Sequence, residues 1–276
     1  MKPNRNDESG IAALLLAVVL MLVILAMVAT AAAYTSSIQL PRIRYEQRQY
    51  IQSAANRIGD YYRVNAWALS QGTSFPLSND QLLTNAGINK KFNIQLCVSQ
   101  QQFLGAYKIP YYNIWVWVPH AGGGKPAVCG TNSFTPNSVT DYDEYSGAIA
   151  QQSLFLATEK TMRDLGANLV TAFEAAQQSG GVHNVDVDYF KPYGCDGDNG
   201  AGPLGCAESW TNASEMSLGD WVGSSSLYHR NAWGQELQLD NTTPVANDQE
   251  PPYTIYIRSE LPGGAYLEEE FAEPIG

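Results

Sequence analysis

Residue types that commonly form catalytic centres are scarce in this sequence. The three histidines, His120, His183 and His229, stand near Gly, Asn or Ser in apparent loops. None of the patterns GxSxG, HExxH or SxxK occurs, so the usual local arrangements of a nucleophile or a catalytic metal are missing. A Ser–His–Asp set that only folding brings together stays open as an alternative. We predict that the chain is not an enzyme.

The four cysteines offer either disulfide bonds or a zinc site. Cys97, Cys129, Cys195 and Cys206 all follow the hydrophobic N-terminal segment, and four cysteines allow three pairings. No CxxC pair is present, which disfavours zinc. Disulfides are the expected state if this part of the chain is exported. We predict two local bridges, Cys97–Cys129 and Cys195–Cys206.

A glycine-rich loop, Gly194–Cys206, carries the best candidate metal ligands. Asp196, Asp198 and Asn199 supply the clustered oxygens that calcium prefers. The spacing of an EF-hand fails, because a glycine stands where the third oxygen ligand is needed. A solvated turn held by the Cys195–Cys206 bridge is therefore the favoured interpretation. We predict no bound cofactor, with calcium at this loop as the alternative and the acidic run DYDEY at 141–145 as a weaker one.

An unbroken apolar stretch, Ile11–Ala33, offers a different chemistry, which is processing of the chain itself. It contains no charge, and at 1.5 Å per helical residue it spans about 34 Å, enough for a bilayer core. Ten polar residues precede it and end at Gly10. Three readings compete: a secretory signal cleaved at Ala33, a simple signal anchor, or a leader cut between Gly10 and Ile11. Signal peptides usually have a shorter apolar core, which weakens the first reading.

The element that follows the apolar stretch favours the third reading. From Pro41 to about Gly72, apolar residues recur at helical spacing and define one face. The residues predicted on that face are Ile51, Ala54, Ala55, Ile58, Tyr61, Tyr62, Val64, Ala66 and Leu69. Pro41 is expected to kink the helix, and Gly72 is a plausible stop. An all-apolar helix that continues as an amphipathic one suits a filament subunit, which packs one half on its neighbours and the other on its own head.

These features resemble the N-terminus of the type IV pilin and type II secretion pseudopilin superfamily. The resemblance implies that a prepilin peptidase cuts after Gly10 and methylates Ile11. It also implies that the helix first holds the subunit in the inner membrane, with the N-terminus in the cytoplasm and the head outside. The helix then leaves the lipid and packs in the core of a pilus (fimbrium) or a periplasmic pseudopilus.

One position departs from the family pattern. Most members carry Glu at the fifth mature residue, where this sequence has Leu15. In the family that carboxylate is thought to pair with the N-terminal amine of a neighbour and to set the register. Family members that lack the Glu include minor subunits at the filament tip. The departure therefore points to a minor or tip subunit.

Two short motifs near the C-terminus extend the resemblance. Asn231–Gly234 is similar to the Asp-Pro-Trp-Gly turn of major pseudopilins, and Ser259–Gly264 is similar to their Ser-x-Gly-x-Asp-Gly loop. That loop region can bind calcium in the family, but Gly263 replaces the Asp here, so no metal is carried over. Trp233 is expected to pack under the sheet against the long helix.

The rest of the chain predicts an acidic head of mixed structure. The net charge is −11 although residues 34–70 hold five basic and two acidic side chains, so nucleic acid is an unsuitable partner. Alternation at 236–239 and 253–258 predicts two antiparallel strands. A second helix is expected within 141–181, ending at Gly180-Gly181. Its predicted apolar face consists of Leu154, Phe155, Ala157, Thr158, Met162, Leu165, Leu169, Val170 and Phe173.

We therefore predict an α+β, pilin-like fold with a leader at 1–10, a transmembrane or assembly helix at 11–33, its amphipathic continuation at 34–72 and a head at 73–276. The expected role is structural, as a minor subunit of a type IV pilus or secretion pseudopilus. The expected partners are other subunits, the prepilin peptidase and inner-membrane lipid. A secreted or anchored binding protein whose signal ends near Ala33 is the first alternative, and a periplasmic enzyme is the second.

Overall fold

The structure, a computed structural model, describes residues 6–119, 127–136, 141–179, 185–195, 200–207, 209–223, 225–241 and 251–273. The chain divides into two compact units, residues 1–53 and 54–276. The α-helices are α1 (Asn6–Val64), α2 (Ala66–Ser70), α3 (Asn79–Asn85), α4 (Gly147–Gln178) and α5 (Gly219–Val222). The strands are β1 (Gln95–Val98), β2 (Gln102–Leu104), β3 (Ile109–Tyr111), β4 (Asn113–Val118), β5 (Val128–Cys129), β6 (Phe134–Thr135), β7 (Asp141–Ser146), β8 (Thr211–Asn212), β9 (Leu237–Asp240), β10 (Thr254–Glu260) and β11 (Tyr266–Ala272). The predicted α+β class is confirmed.

Helix α1 is 59 residues long and continues through Pro41. It ends at Val64, because the backbone of Asn65 leaves the α-helical region with φ −109° and ψ 16°. Helix α2 then completes the helical region at Ser70. Most of the predicted apolar face is buried, but Val64 is 82% exposed. The prediction for Val64 was wrong because Val64 follows the buried Tyr62 by two residues, about 200° around the helix, and so lies on the opposite side.

A three-stranded antiparallel sheet, in the order β1-β4-β7, forms one layer of the head. Ile114, Val116 and Val118 of β4 are buried on one face. On the other face the short β5–β6 hairpin packs Phe134 against the rings of Trp115 and Trp117. Strand β7 was not predicted, because its alternation pairs aromatic residues with acidic ones rather than with neutral polar ones.

The second sheet closes the C-terminal part of the head. Its four antiparallel strands lie in the order β11-β10-β9-β8. The two predicted strands are present as β9 and β10, and β11 is a third strand that the sequence did not predict. Ile255 and Ile257 of β10, together with Leu237 and Leu239 of β9, are fully buried on one face.

Helix α4 packs against this second sheet. Of its predicted apolar face, the structure buries Thr158, Met162, Leu165, Leu169 and Phe173. The prediction was too wide at its edges, because Leu154, Phe155 and Val170 are half-buried and Ala157 is exposed. The helix comes so close to β11 that a Cβ at Gly166 would lie 2.2 Å from the ring of Phe271. Glycine is required there by the close approach.

Candidate functional site: an exposed apolar helix and a buried polar network

The apolar part of α1 is the first candidate site. An 18-residue window, Leu14–Ala31, has a mean hydropathy of 3.0, and none of it is buried within the chain. By length and composition this helix is able to cross a membrane, as an anchor or as a signal segment. Leaving so much apolar surface in water is strongly unfavourable, at about 25 cal/mol per Å². The segment therefore needs lipid or protein around it.

The described part of this segment contains no unsatisfied polar side chain. Thr30 is its one hydroxyl, and its Oγ1 donates to the carbonyl oxygens of Ala26 at 2.9 Å and Met27 at 3.0 Å. A hydroxyl that bonds back to its own helix can enter an apolar environment without losing a partner. Leu15 is 58% exposed and adds a further apolar side chain.

The predicted processing residues lie in the same helix. Gly10 and Ile11 both have helical backbone within α1. Cleavage and methylation at this bond stay predictions.

The two disulfides join Cys97 to Cys129 and Cys195 to Cys206, which is the local pairing that the sequence favoured. The first ties β1 to the β5–β6 hairpin. The described chain has no free cysteine.

The calcium prediction at the Gly194–Cys206 loop falls outside the residues that the structure describes. Asp196, Asp198 and Asn199 lie outside them, as do His120 and His183. On β7, Glu144 lies opposite Trp115 and Asp143 opposite Val116, so these neighbouring carboxylates point to different faces of the strand. Among the described residues no group of three or more His, Cys, Asp or Glu side chains is arranged to hold a metal ion.

A buried polar network, which we define as Tyr62, Ser70, Gln151, Asn231 and Trp233, is the second candidate site. Gln151 is at its centre and is fully buried on α4. Its Nε2 donates to Ser70 Oγ at 2.7 Å and to the Pro110 carbonyl at 3.1 Å. Its Oε1 accepts the indole N–H of Trp233 at 2.8 Å. One amide therefore joins α2, β3, α4 and the Trp233 turn.

Asn231 organises the turn that presents Trp233. Its Oδ1 accepts from the backbone amides of Trp233 and Gln235, both at 2.9 Å. Its Nδ2 donates to Ser259 Oγ at 2.9 Å and to the Glu260 carbonyl at 3.0 Å. The two motifs that resemble pseudopilin turns, Asn231–Gly234 and Ser259–Gly264, are thus hydrogen-bonded to each other.

Tyr62 of this network and Tyr145 beside it stay neutral over the physiological range. Burial raises the pKa of Tyr62 to about 12, and burial followed by the nearby Tyr62 raises the pKa of Tyr145 to about 12. The Tyr62 hydroxyl accepts the backbone N–H of Tyr112 at 3.2 Å. The Gly147 backbone is so close that a Cβ there would lie 2.7 Å from that hydroxyl oxygen.

Sequence reasoning missed Gln151 and Ser70. Both are polar residues of types usually found at the surface, and no local pattern marks them as buried. The expectation for Trp233 placed it against the long helix. The structure gives its indole a hydrogen bond to Gln151 on α4, and the ring is 8% exposed.

Comparison with known proteins adds no relative. No protein-family model matches the chain, and neither the curated proteins nor the solved structures contain a significant match.

Proposed function

We propose that this chain is a minor pilin-like subunit of a type IV pilus or a type II secretion pseudopilus. The observation that carries the proposal is helix α1 itself. Its first part is apolar and exposed, whereas its last turns bury Ala54, Ala55, Ile58 and Tyr62. One helix thereby offers a surface for lipid or for neighbouring subunits and also forms part of a folded head.

The C-terminal motifs support the same proposal. Asn231–Gly234 and Ser259–Gly264 occur in the family's order, and hydrogen bonds from Asn231 join them. The absence of a Glu at Leu15 favours a minor or tip position over the repeating shaft subunit. The role is structural, and the covalent chemistry is done to the chain at Gly10–Ile11.

Mass spectrometry of the mature N-terminus tests this proposal. In cells that contain a prepilin peptidase, we expect the mature chain to begin at N-methylated Ile11. Gly10→Leu should block cleavage and leave full-length chain in the membrane, whereas the neighbouring control Ser9→Ala should mature normally. A chain that begins at Tyr34 would overturn the proposal and favour a secreted protein. An uncleaved wild-type chain would favour a simple anchor.

A further inference from the structure

The first charged side chains after the apolar stretch are arginines. No charged residue occurs between Glu8 and Arg42, and Arg44 and Arg48 follow within the next two turns of α1. At 1.5 Å per residue the uncharged run is about 50 Å long, whereas a bilayer with its headgroup layers is about 40–45 Å thick. If α1 crosses a bilayer with a modest tilt, these arginines therefore lie at one of its surfaces.

We call Arg42, Arg44 and Arg48 the arginine band. All three side chains are exposed, and that of Arg42 is 79% exposed. One acidic residue lies between them, Glu46, whose Oε1 is 3.2 Å from Arg42 Nε. An ion pair this exposed contributes little, so the Arg42 guanidinium can still bind another anion. The band is thus net positive in a chain whose net charge is −11.

The arginines surround the helix and do not line a single face. Successive helical residues are about 100° apart, so Arg44 lies about 200° from Arg42, and Arg48 lies about 40° from Arg44. A protein that docks on one face of α1 would meet only part of this band, whereas a headgroup layer meets a helix from every side. Because Cα–Cβ bonds in a helix tilt toward its N-terminus, all three side chains lean toward the apolar stretch.

The aromatic side chains around the band also suit the membrane surface. Tyr34 precedes the band and is 68% exposed, and Tyr45 lies within it and is 62% exposed. Tyrosine has an apolar ring and a polar tip, and it is enriched where hydrocarbon meets headgroups. Charge and aromatic content therefore favour the same environment for this part of α1.

We propose that the arginine band binds the phosphate groups of anionic phospholipids at the membrane surface. Guanidinium groups form charge-assisted, bidentate hydrogen bonds with phosphate. Zwitterionic lipids also carry a phosphate, but their own cation balances its charge, so a band of arginines selects the anionic class. The inference deepens the proposed function and rests on the part of it that places α1 in a membrane.

Vesicle flotation tests that shared premise first. The full-length chain, reconstituted with neutral phosphatidylcholine vesicles, should float with them at high salt, because the apolar stretch alone holds it there. A wild type that does not float would overturn both this inference and the proposed function.

Native mass spectrometry of the full-length chain in a neutral detergent tests the arginine band itself. We expect the wild type to retain phosphatidylglycerol at least about tenfold better than phosphatidylcholine with the same acyl chains. Replacing both Arg42 and Arg44 by Gln should remove most of this preference. The matched control replaces Arg63 and Lys160 by Gln, which removes two exposed cations paired with Asp60 and Asp164, and should leave the preference unchanged.

Glu46 gives a test in the opposite direction. Glu46→Gln should raise the preference for phosphatidylglycerol severalfold, because it removes the one carboxylate between the arginines. Replacing Arg42 and Arg44 by Lys should keep part of the preference, since an ammonium retains the charge but loses the bidentate geometry. Thermal unfolding of each variant separates lost lipid binding from lost structure.

Four outcomes would overturn the inference and leave the proposed function standing. The first two are no preference for phosphatidylglycerol in the floating wild type, and an equal preference when Arg42 and Arg44 are Gln. The third is displacement of the lipid by an equal concentration of free glycerol phosphate, which would assign the band to small anions. The fourth is self-association that the two Gln substitutions abolish, without any lipid preference, which would assign the band to an acidic surface of another subunit.

Discussion

At the scale of single residues, the stability of the head depends on hydrogen bonds that satisfy individual buried polar atoms. Gln151 is the strongest case, because it has no exposed surface and uses both its amide nitrogen and its carbonyl oxygen in hydrogen bonds. Asn231 plays a similar part in the turn that precedes β9. A buried polar group that loses its partner costs more than the hydrogen bond itself contributed.

Replacing Gln151 by Leu should therefore lower the free energy of unfolding by about 3 kcal/mol, because the Trp233 indole and the Ser70 hydroxyl lose a buried partner. Chemical denaturation measures the difference. Gln152→Leu on the same helix is the control, since its side chain is exposed and should change stability by less than about 0.5 kcal/mol. Equal effects of the two substitutions would mean that the network contributes little.

Tyr62 predicts a loss of stability in alkaline solution. Its pKa is raised by burial to about 12 from 10.0, so the unfolded chain loses this proton first as the pH rises. The contribution is complete below pH 10 and disappears between pH 10 and pH 12. Absorbance titration should reveal a late-ionising tyrosine in the folded wild type that Tyr62→Phe removes. A Tyr62→Phe titration identical to that of the wild type would contradict the assignment.

The same scale explains what the sequence could not predict. The cysteine pairing could be predicted from spacing. The need for glycine at position 166, beside the ring of Phe271, could not, because no local sequence pattern marks it. Gln151 looks like an ordinary surface residue of an amphipathic helix until β3 and the Trp233 turn are brought against it. The contacts of Arg258 with the rings of Trp210 and Tyr266 depend on the pairing of four strands, β8 to β11, which no local sequence pattern specifies.

At the scale of elements, hydrophobic periodicity predicted the long helix, α4 and the strands β9 and β10. It failed where an element's pattern was interrupted or unusual. Asn65 separates α1 from α2 before Gly72, and β7 alternates aromatic with acidic residues. Strand β11 carries three consecutive glutamates, which hide its alternation even though Leu267 is buried.

The disulfides should stabilise the head according to the loops that they close. Their sequence separations are 32 residues for Cys97–Cys129 and 11 for Cys195–Cys206. Loop-closure entropy predicts losses of about 4 and about 3 kcal/mol when each pair is replaced by Ala. Denaturant unfolding of the two double variants measures both values. If the variant that lacks the Cys97–Cys129 bridge is as stable as the wild type, the aromatic contacts alone hold the β5–β6 hairpin.

At the scale of the whole molecule, the chain combines an apolar helix with an acidic, disulfide-bonded α+β head. The whole chain has a net charge of −11, whereas residues 34–70, which follow the apolar stretch, hold five basic and two acidic side chains. The long helix and the head therefore differ in charge as well as in structure. Composition predicted this division. Composition could not predict which side chains share the outer face of the second sheet, because that depends on how its strands pair.

The most direct test of the filament proposal is quantitative mass spectrometry of filaments purified from the native cells. We predict that this chain is present in them, at far lower copy number than the main subunit, and that it begins at methylated Ile11. Its absence from the filaments, together with a soluble form that begins at Tyr34, would contradict the proposal.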